Sequence, residues 1–282
     1  MRNYLFIGSS SKIVDQYINE NNLINARYYG VSSKVKSISY QGGVSIYGYE
    51  NINLLKDIKF DVIIILASRL PWEDVSFSKY IDVNNQVEHL LKSLSSINLI
   101  RARVIFLSSL SVYKENEIEI NENSPIDRKG NYVISKLKME QSLMSLSKML
   151  GFELLILRIP VFAYIGGSTS FISRLIIEAK NKSVFTLTNK HSFLSAIFDI
   201  EHLIIIERSN WHGYSVVNCG AVPDIMFNEI GQLACKNGLR YVKWEDNNRI
   251  SQTINIDKIS KILGFKPSSI GIVTKIFNQE FL

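Results

Sequence analysis

Runs of apolar residues alternate with longer segments of mixed polarity along the first two thirds of the chain. Continuous apolar runs are typical of parallel strands that are buried on both faces of a sheet. Their alternation with helix-length segments predicts an α/β fold, a doubly wound parallel sheet with right-handed crossovers. The predicted strands are YLFIG (4–8), ARYYGV (26–31), DVIIILAS (61–68), RVIFLSS (103–109) and ELLILRIPV (153–161).

The pattern loosens after about residue 165, where the apolar spacing predicts helices over 170–181, 224–238 and 257–267. We therefore predict a dinucleotide-binding domain over residues 1–165. Residues 166–282 are predicted to form mostly a smaller C-terminal lobe that binds substrate, with some segments returning to the first domain. In such folds the ligands bind beyond the carboxyl ends of the strands.

Composition narrows the class of protein. The chain has 282 residues, 46% apolar and 21% charged, as expected of a globular protein. No apolar run approaches the roughly 20 residues that span a bilayer, and the N-terminus does not resemble a signal peptide. The two cysteines do not form a disulfide framework. We expect a cytoplasmic protein that does not act at a membrane.

Charge and histidine placement exclude two kinds of site. The net charge of +6 comes from residues scattered along the chain rather than from a basic block. It suits an anionic substrate and does not indicate nucleic-acid binding. The four histidines are dispersed without metal-ligand spacing, so no metal site is predicted.

The segment FIGSSSKIV (6–14) follows the first predicted strand, where a dinucleotide-binding turn would lie. Such turns use glycines so that the backbone can approach the pyrophosphate. Gly8 is present, and Ser11 and Val14 take the other two glycine positions. An ordinary strand–turn–helix connection is the alternative. The candidate cofactor-binding residues here are Gly8, Ser10, Ser11, Lys12 and Ile13.

GNYVISKLKMEQ (130–141) places Tyr132 and Lys136 four residues apart, on one face of a predicted helix. A phenol has a pKa near ~10, and a neighbouring ammonium lowers it, so the pair suits acid–base chemistry. Serines at the end of the predicted strand 103–109, Ser109 among them, supply a hydroxyl for the reacting oxygen. The alternative is a half-buried tyrosine beside a solvated lysine.

Several segments, in this order, resemble the extended short-chain dehydrogenases/reductases, the branch that contains sugar-nucleotide epimerases, dehydratases and reductases. The resemblance covers nearly the whole chain and implies a Rossmann-like fold. The matching segments are DVIIILAS (61–68), DVNNQVEHLL (82–91) with Asn84, FLSSLSVY (106–113), YVISKLKME (132–140), LILRIPVFAYIGG (155–167), IFDIEHLI (197–204), VVNCG (216–220) and SKILGFKP (260–267).

The resemblance implies roles for individual residues. Tyr132 would be the general acid and base, Lys136 would lower its pKa and bind the nicotinamide ribose, and Ser109 would hydrogen-bond the substrate oxygen. The cofactor would carry the hydride. Further implied cofactor contacts are Leu66, Ala67, Ser68 and Ile159, and implied substrate contacts are Arg69, Ser111 and Arg174.

Three reaction types within this family compete. The 4,6-dehydratases carry Thr-Asp-Glu where this chain has Ser109-Leu110-Ser111, and leucine cannot transfer a proton. Epimerases usually hold NAD with an acidic residue after the second strand. Here that strand ends in Ser32, Ser33 and Lys34, which suit a 2′-phosphate and favour NADP(H) over NAD(H), unless they form only a solvated loop.

We therefore predict an NAD(P)H-dependent reductase of a nucleotide-activated 4-keto-6-deoxy sugar, in bacterial surface-polysaccharide synthesis. The alternatives are an NAD-dependent sugar-nucleotide 4-epimerase and, from another class, a non-catalytic NAD(P)-binding scaffold or sensor. Tyr49 stands where the family often has an aspartate against the adenine. The predicted partners are a nucleotide-sugar substrate and, by analogy with the family, a second copy of the chain in a homodimer.

Overall fold

The computed structural model describes residues 1–9, 11–21, 23, 25–35, 38–41, 43–68, 76–94, 96–114, 119–164, 171–188, 193–194, 197–245 and 253–281. In chain order its strands are β1 (Arg2–Ile7), β2 (Ala26–Val31), β3 (Ser39–Gln41), β4 (Val44–Tyr47), β5 (Val62–Ile65), β6 (Arg103–Ser109), β7 (Glu119–Ile120), β8 (Glu153–Ile159), β9 (Val161–Ala163), β10 (Val184–Thr188), β11 (Phe193–Leu194), β12 (Ile197–Asp199), β13 (Tyr214–Asn218), β14 (Ile225–Met226), β15 (Tyr241–Glu245) and β16 (Thr253–Ile254).

The helices follow the same order, with short 3-10 helices at Tyr49–Leu55 and Leu110–Val112. The α-helices are α1 (Lys12–Asn21), α2 (Phe77–Ser93), α3 (Ser96–Leu99), α4 (Asn131–Leu150), α5 (Phe171–Lys180), α6 (Ile200–Arg208), α7 (Phe227–Lys236), α8 (Asp257–Leu263) and α9 (Ser269–Phe281). Among the described helices, none is both long and apolar enough to cross a bilayer.

The main sheet has eight strands in the order β13-β8-β6-β5-β1-β2-β4-β3. Strand β1 pairs in parallel with β2 on one side and with β5 on the other, so the strand order reverses at β1. Ligands of doubly wound sheets bind at such a reversal. The predicted doubly wound α/β fold is confirmed, and the predicted apolar runs contain β1, β2, β5, β6 and β8.

Both faces of β1 are buried, which explains its unbroken apolar run. Leu5 and Ile7 pack in a cluster that also contains Leu90 of α2 and Leu143 of α4. On the other face, the Phe6 ring meets the Tyr17 ring of α1 edge-on, at a centroid distance of 5.4 Å. Because helices cover both faces of the strand, neither face meets water, and polar residues do not alternate with apolar ones along it.

The chain divides into two compact units. The first unit comprises Met1–Val112, Ile126–Arg158 and Asn210–Val217, and it contains most of the main sheet with α1, α2 and α4. The second unit comprises Tyr113–Pro125, Ile159–Ser209 and Asn218–Leu282. In the second unit, β10 pairs with β15 and β9 with β12, and α5, α7 and α9 enclose an apolar core that includes Leu175, Ile230 and Phe277.

Candidate active site

Tyr132 and Lys136 lie one turn apart near the start of α4, as the sequence predicted. The helix begins after Gly130, whose φ of 80° favours glycine. Lys136 is buried and its ammonium donates to the Leu107 carbonyl of β6, at 2.8 Å. The same ammonium lies 4.9 Å from the centroid of the Phe106 ring and 5.8 Å from that of Tyr132. Strand β6 thus fixes Lys136 beside Tyr132.

Ser109, the last residue of β6, completes the arrangement. Its hydroxyl lies beside the Tyr132 side chain, where it lowers the pKa of the phenol, and accepts from the backbone N–H of Ser111, at 3.1 Å. The Tyr80 ring of α2 packs edge-on against Tyr132, with centroids 6.4 Å apart. The structure therefore brings the three predicted catalytic side chains together at the carboxyl end of a buried strand.

Burial governs the acid–base properties of this pair. Burial raises the pKa of Tyr132 above its usual 10.0, and Ser109 opposes that rise. Burial lowers the pKa of Lys136 to about 8, and Glu140 opposes that fall. The sequence predicts that Lys136 lowers the pKa of the phenol; in the structure burial dominates instead, and the Lys136 ammonium is directed at the Leu107 carbonyl.

A buried ion pair lies one turn further along α4. Arg158 of β8 grips the Glu140 carboxylate with two hydrogen bonds, Nε to Oε1 at 3.1 Å and a terminal nitrogen to Oε2 at 2.7 Å. The Ser108 hydroxyl donates to the same carboxylate, at 2.5 Å. Glu140 and Arg158 lie in two separate segments of the sequence, and their pairing depends on how β8 packs against α4.

Helix α2 supports α4 through Asn84. Its side-chain amide donates to the Ser135 carbonyl, at 2.9 Å, and the Ser135 hydroxyl donates to the Tyr132 carbonyl, at 2.7 Å. These bonds hold the first turns of α4 and do not reach the Tyr132 hydroxyl. Asn84 therefore acts as a structural residue that links α2 to α4.

The carboxyl ends of β1 and β5 meet at the strand-order reversal. The N–H groups of Leu66 and Ala67 donate to the Ile7 carbonyl, at 2.8 and 2.9 Å. Gly8 has a φ of 95°, and a Cβ on it would lie 2.7 Å from the Ala67 nitrogen. Glycine is thus required here both by conformation and by space. Ser68, the next residue along from Ala67, is half-buried.

The rest of the first loop departs from the usual glycine pattern. Ser11 accepts a hydrogen bond from the N–H of Ile13, at 3.3 Å, and Val14 is buried in place of the third glycine. The Ser9 hydroxyl is buried and has no hydrogen-bond partner in the described part of the chain. Gly30 of β2 approaches it closely, since a Cβ there would lie 2.4 Å from the Ser9 Cβ.

These features fit a dinucleotide. Gly8 lets the turn after β1 pack directly against the Ala67 backbone, and the buried hydroxyl of Ser9 offers an unused hydrogen bond. Helix α1, which starts at Lys12, follows directly, as the phosphate groups of dinucleotides require. The loop retains the elements of a cofactor site with one glycine instead of three.

The end of β2 carries hydroxyls and a lysine, as predicted. Ser32 is buried, its N–H donates to the Tyr47 carbonyl at 3.1 Å, and its hydroxyl accepts from the N–H of Lys34 at 3.2 Å. Ser33 and Lys34 are exposed. The Ser32 oxygen is therefore already used within the turn, although its own proton remains free to be donated.

The carboxylate of Glu50, which the sequence analysis did not predict here, lies beside the same turn. A Cβ on Gly48 would lie 2.3 Å from the Glu50 carboxylate and 2.4 Å from the Val35 carbonyl. Glu50 thus approaches the segment that follows β2, from the 3-10 helix after β4. Next to it, burial raises the pKa of Tyr49 to about 12. Only the pairing of β2 with β4 brings these residues together.

The predicted substrate contacts are spread over both units. Ser111 is exposed just after β6 in the first unit. Arg174 is exposed on α5 of the second unit, with its guanidinium 5.9 Å from the centroid of the Phe185 ring. Ile159 ends β8 and is half-buried. Ser10 and Arg69 lie outside the described residues. Within the described residues, no three His, Cys, Asp or Glu side chains cluster as metal ligands would.

Solved structures of similar fold include three epimerases. A UDP-glucuronic acid 4-epimerase from Bacillus cereus in complex with NAD is 16% identical, with a TM-score of 0.79 over 99% of this chain and 100% of that chain. A UDP-N-acetylglucosamine 4-epimerase from Bacillus cereus is 17% identical, with a TM-score of 0.78 over 99% of both chains. The Helicobacter pylori ADP-L-glycero-D-manno-heptose-6-epimerase is 16% identical, with a TM-score of 0.79 over 99% and 96%.

At these identities the structures establish the fold and no more. No curated protein sequence matches the chain significantly. Residues 42–195, more than half of the chain, match the family model described as the NAD dependent epimerase/dehydratase family. This match confirms the resemblance to the extended short-chain dehydrogenases/reductases, and the chain belongs to the NAD dependent epimerase/dehydratase family.

Proposed function

We propose that the chain is an NAD-dependent sugar-nucleotide epimerase, an oxidoreductase that inverts one carbon of the sugar through a keto intermediate. The observation that carries the proposal is the placement of Ser109 and of the buried Lys136 ammonium beside Tyr132. The family and the similar epimerase structures favour this reading over the reductase that the sequence had suggested.

The residues divide the chemistry between them. When bound, the nicotinamide would take a hydride from the sugar carbon and return it to the opposite face. Tyr132 takes the proton of the sugar hydroxyl and later gives it back to the carbonyl oxygen. Ser109 donates a hydrogen bond to that oxygen. Lys136 supplies the positive charge that favours the phenolate as substrate and cofactor displace water.

NAD is the cofactor that this arrangement supports best. Gly8 and Ser9 line the turn after β1, and Leu66 to Ser68 line the turn after β5. The Glu50 carboxylate beside the turn after β2 would repel a 2′-phosphate, whereas a ribose hydroxyl would tolerate it. The negative charge of Glu50 is therefore consistent with an epimerase that binds NAD tightly.

A reductase that uses NADPH is the second candidate. It is favoured by the exposed Ser33 and Lys34 and by the hydroxyl of the buried Ser32, since cations and hydroxyls attract a 2′-phosphate. The 4-keto-6-deoxy sugar and the polysaccharide pathway belong to this candidate. A non-catalytic scaffold would not require the Ser109–Tyr132–Lys136 arrangement, and a dehydratase would require an acid where Leu110 stands.

The substrate side of the proposal concerns the second unit. An exposed cation such as Arg174 suits the diphosphate of a nucleotide sugar. The first unit would bind the dinucleotide and the second the sugar nucleotide, as the predicted domain division implies. A homodimer would use the exposed sides of α2 and α4, where a cleft is lined by Glu88, Lys92, Lys138, Gln141 and Met149, among others.

The deciding experiment begins with the cofactor. The purified chain is heat-denatured and the supernatant assayed for NAD(H) and NADP(H), and fresh protein is titrated with NADH and NADPH by fluorescence. The same protein is then incubated with UDP-glucuronic acid, UDP-N-acetylglucosamine and a 4-keto-6-deoxy sugar nucleotide, with product followed by proton NMR. Copurified NAD and an inverted sugar without net cofactor consumption support the epimerase.

Other outcomes overturn it in different ways. Stoichiometric consumption of NADPH with a keto sugar would make the chain a reductase. Binding of cofactor without turnover of any sugar, unchanged by Tyr132→Phe in a cellular assay, would favour the scaffold. Failure to bind either dinucleotide would mean that the single-glycine loop does not hold a cofactor.

A further inference from the structure

Lys136 and Glu140 stand four residues apart on α4, the spacing at which lysine and glutamate ordinarily pair. Both are buried, with 5% and 7% of their surface exposed. Buried opposite charges at this spacing should attract each other strongly. Yet among the described residues Lys136 makes no ion pair; its ammonium donates to the Leu107 carbonyl instead. Other contacts must therefore prevent the Glu140 carboxylate from pairing with the Lys136 ammonium.

Arg158 and Ser108 occupy the Glu140 carboxylate. Arg158 contributes two hydrogen bonds, one to each oxygen, and Ser108 contributes a third to Oε1. Two-point contact between a guanidinium and a carboxylate holds both groups in a fixed plane. Because β8 supplies the arginine and β6 the serine, the sheet anchors the carboxylate away from the lysine.

We propose that the Arg158–Glu140 ion pair is a positioning device, which keeps the Lys136 ammonium directed at the Leu107 carbonyl and the Tyr132 ring. Arg158 and Glu140 would then be positioning residues, since they act through Lys136. The proposal rests on the proposed function only in that Lys136 is assumed to serve Tyr132.

The charges around Lys136 make the proposal testable in solution. Tyr132 and Glu140 of α4 lie beside Lys136, Tyr80 of α2 lies beside Tyr132, and Arg158 of β8 and Tyr214 of β13 lie beside Glu140. Glu140 already raises the pKa of Lys136 against the effect of burial. Releasing Glu140 from Arg158 should strengthen that effect, and removing the carboxylate should abolish it.

The experiment measures the pKa of Lys136 in the ligand-free protein. Lysine side chains are labelled with carbon-13, the Lys136 signal is identified by its loss in Lys136→Met, and its shift is followed with pH. We expect Arg158→Met to raise the pKa by about one unit or more, since the freed Glu140 then pairs with the lysine. We expect Glu140→Gln to lower it, leaving the arginine charge unopposed.

The opposite signs distinguish positioning from loose packing, which would move both variants in the same direction. Glu88→Gln is the matched control: Glu88 pairs with Lys92 four residues on, at the exposed surface of α2. It should leave Lys136 unchanged. If either single variant fails to fold, the double variant Glu140→Gln/Arg158→Met removes both charges of the ion pair, and its Lys136 pKa should lie above that of Glu140→Gln and below that of Arg158→Met.

A shift of the same sign in both single variants, or none, would overturn the proposal and leave the epimerase reading intact. Activity provides the second measurement. The Arg158→Met variant should lose at least tenfold in kcat with little change in KM, because substrate contacts are untouched. If no sugar is turned over by the parent protein, the NMR result still decides whether the pair positions Lys136.

Discussion

Lys136 carries a charge in a place where water cannot reach it. Its surroundings offer one carbonyl oxygen and two aromatic faces, which compensate only partly for lost hydration. Burial lowers its pKa to about 8 from the usual 10.5. Packing alone would favour an apolar residue at this buried position near the carboxyl end of β6. The presence of Lys136 there, despite its cost in stability, therefore indicates a functional role.

The desolvation cost of the buried Lys136 charge predicts that the stability of the fold depends on pH. Because the folded-state pKa of Lys136 lies below the unfolded one, the unfolded chain binds more protons between pH 8 and 10.5. The penalty is fully present below pH 8 and is relieved as the pH rises through that window. Lys136→Met should therefore be more stable than the parent at pH 7, by up to about 3 kcal/mol, and inactive.

Urea unfolding at pH 7 and pH 10 measures the difference in free energy of unfolding between Lys136→Met and the parent. This difference should be smaller at pH 10. Lys92→Met, an exposed lysine on α2, is the control and should change stability by less than about 0.5 kcal/mol. A Lys136→Met variant that is less stable than the parent at pH 7 would contradict the prediction, since the Leu107 hydrogen bond would then outweigh desolvation.

The second prediction at this scale concerns the phenol. Tyr132→Phe should lower kcat by about 10²–10⁴-fold, because the proton-transfer group is lost, while cofactor affinity stays within about twofold. Ser109→Ala should lower kcat less, because it removes only a hydrogen bond to the reacting oxygen. Steady-state kinetics and NADH titration check both. Equal losses in the two variants would point to a shared structural role instead.

At the level of elements, the turn after β1 decides whether a cofactor can bind. Gly8→Ala should weaken NADH binding at least tenfold, because a Cβ would lie 2.7 Å from the Ala67 nitrogen and the φ of 95° is strained for alanine. Gly43→Ala is the matched control. Gly43 has a φ of 82° but nothing within 4 Å of an added Cβ.

Both variants should lose roughly 1–2 kcal/mol from backbone strain, and only Gly8→Ala should lose cofactor affinity as well. Calorimetry and fluorescence titration separate the two effects. Undiminished NADH binding by Gly8→Ala would place the dinucleotide away from this turn.

The elements that sequence predicted well are those with a simple periodicity. The central strands read as continuous apolar runs because both faces are covered, and β1, β2, β5, β6 and β8 were found. The strands at the two edges of the main sheet, β3 and β13, were missed, as was β4, which lies next to β3. They are short, and β4 alternates between buried and half-buried positions next to glycines, a pattern that reads equally well as a turn.

At the level of the whole molecule, the two compact units suggest a division of labour. Arg174→Ala on α5 should raise KM for the nucleotide sugar about tenfold or more, with kcat and NADH affinity nearly unchanged, because a charge-assisted phosphate contact is lost. Lys236→Ala, which removes an exposed cation from α7 of the same unit, is the control and should leave KM unchanged. Equal effects in both would indicate only a general loss of positive charge.

The sequence by itself determined the fold class, the helix that bears Tyr132 and Lys136, and the place of Ser109 at a strand end. Those features are local: an apolar run, a four-residue spacing and the last residue of a strand are all visible along the chain. The family resemblance added their roles.

Only the tertiary structure decided which groups act on one another. The Arg158–Glu140–Ser108 bonds join β8, α4 and β6, and Glu50 reaches the turn after β2 because β4 pairs with that strand. Burial, set by the same packing, lowers the pKa of Lys136 and raises that of Tyr132. Strand order and solvent exclusion are properties of the assembled sheet, and no spacing within a single segment encodes them.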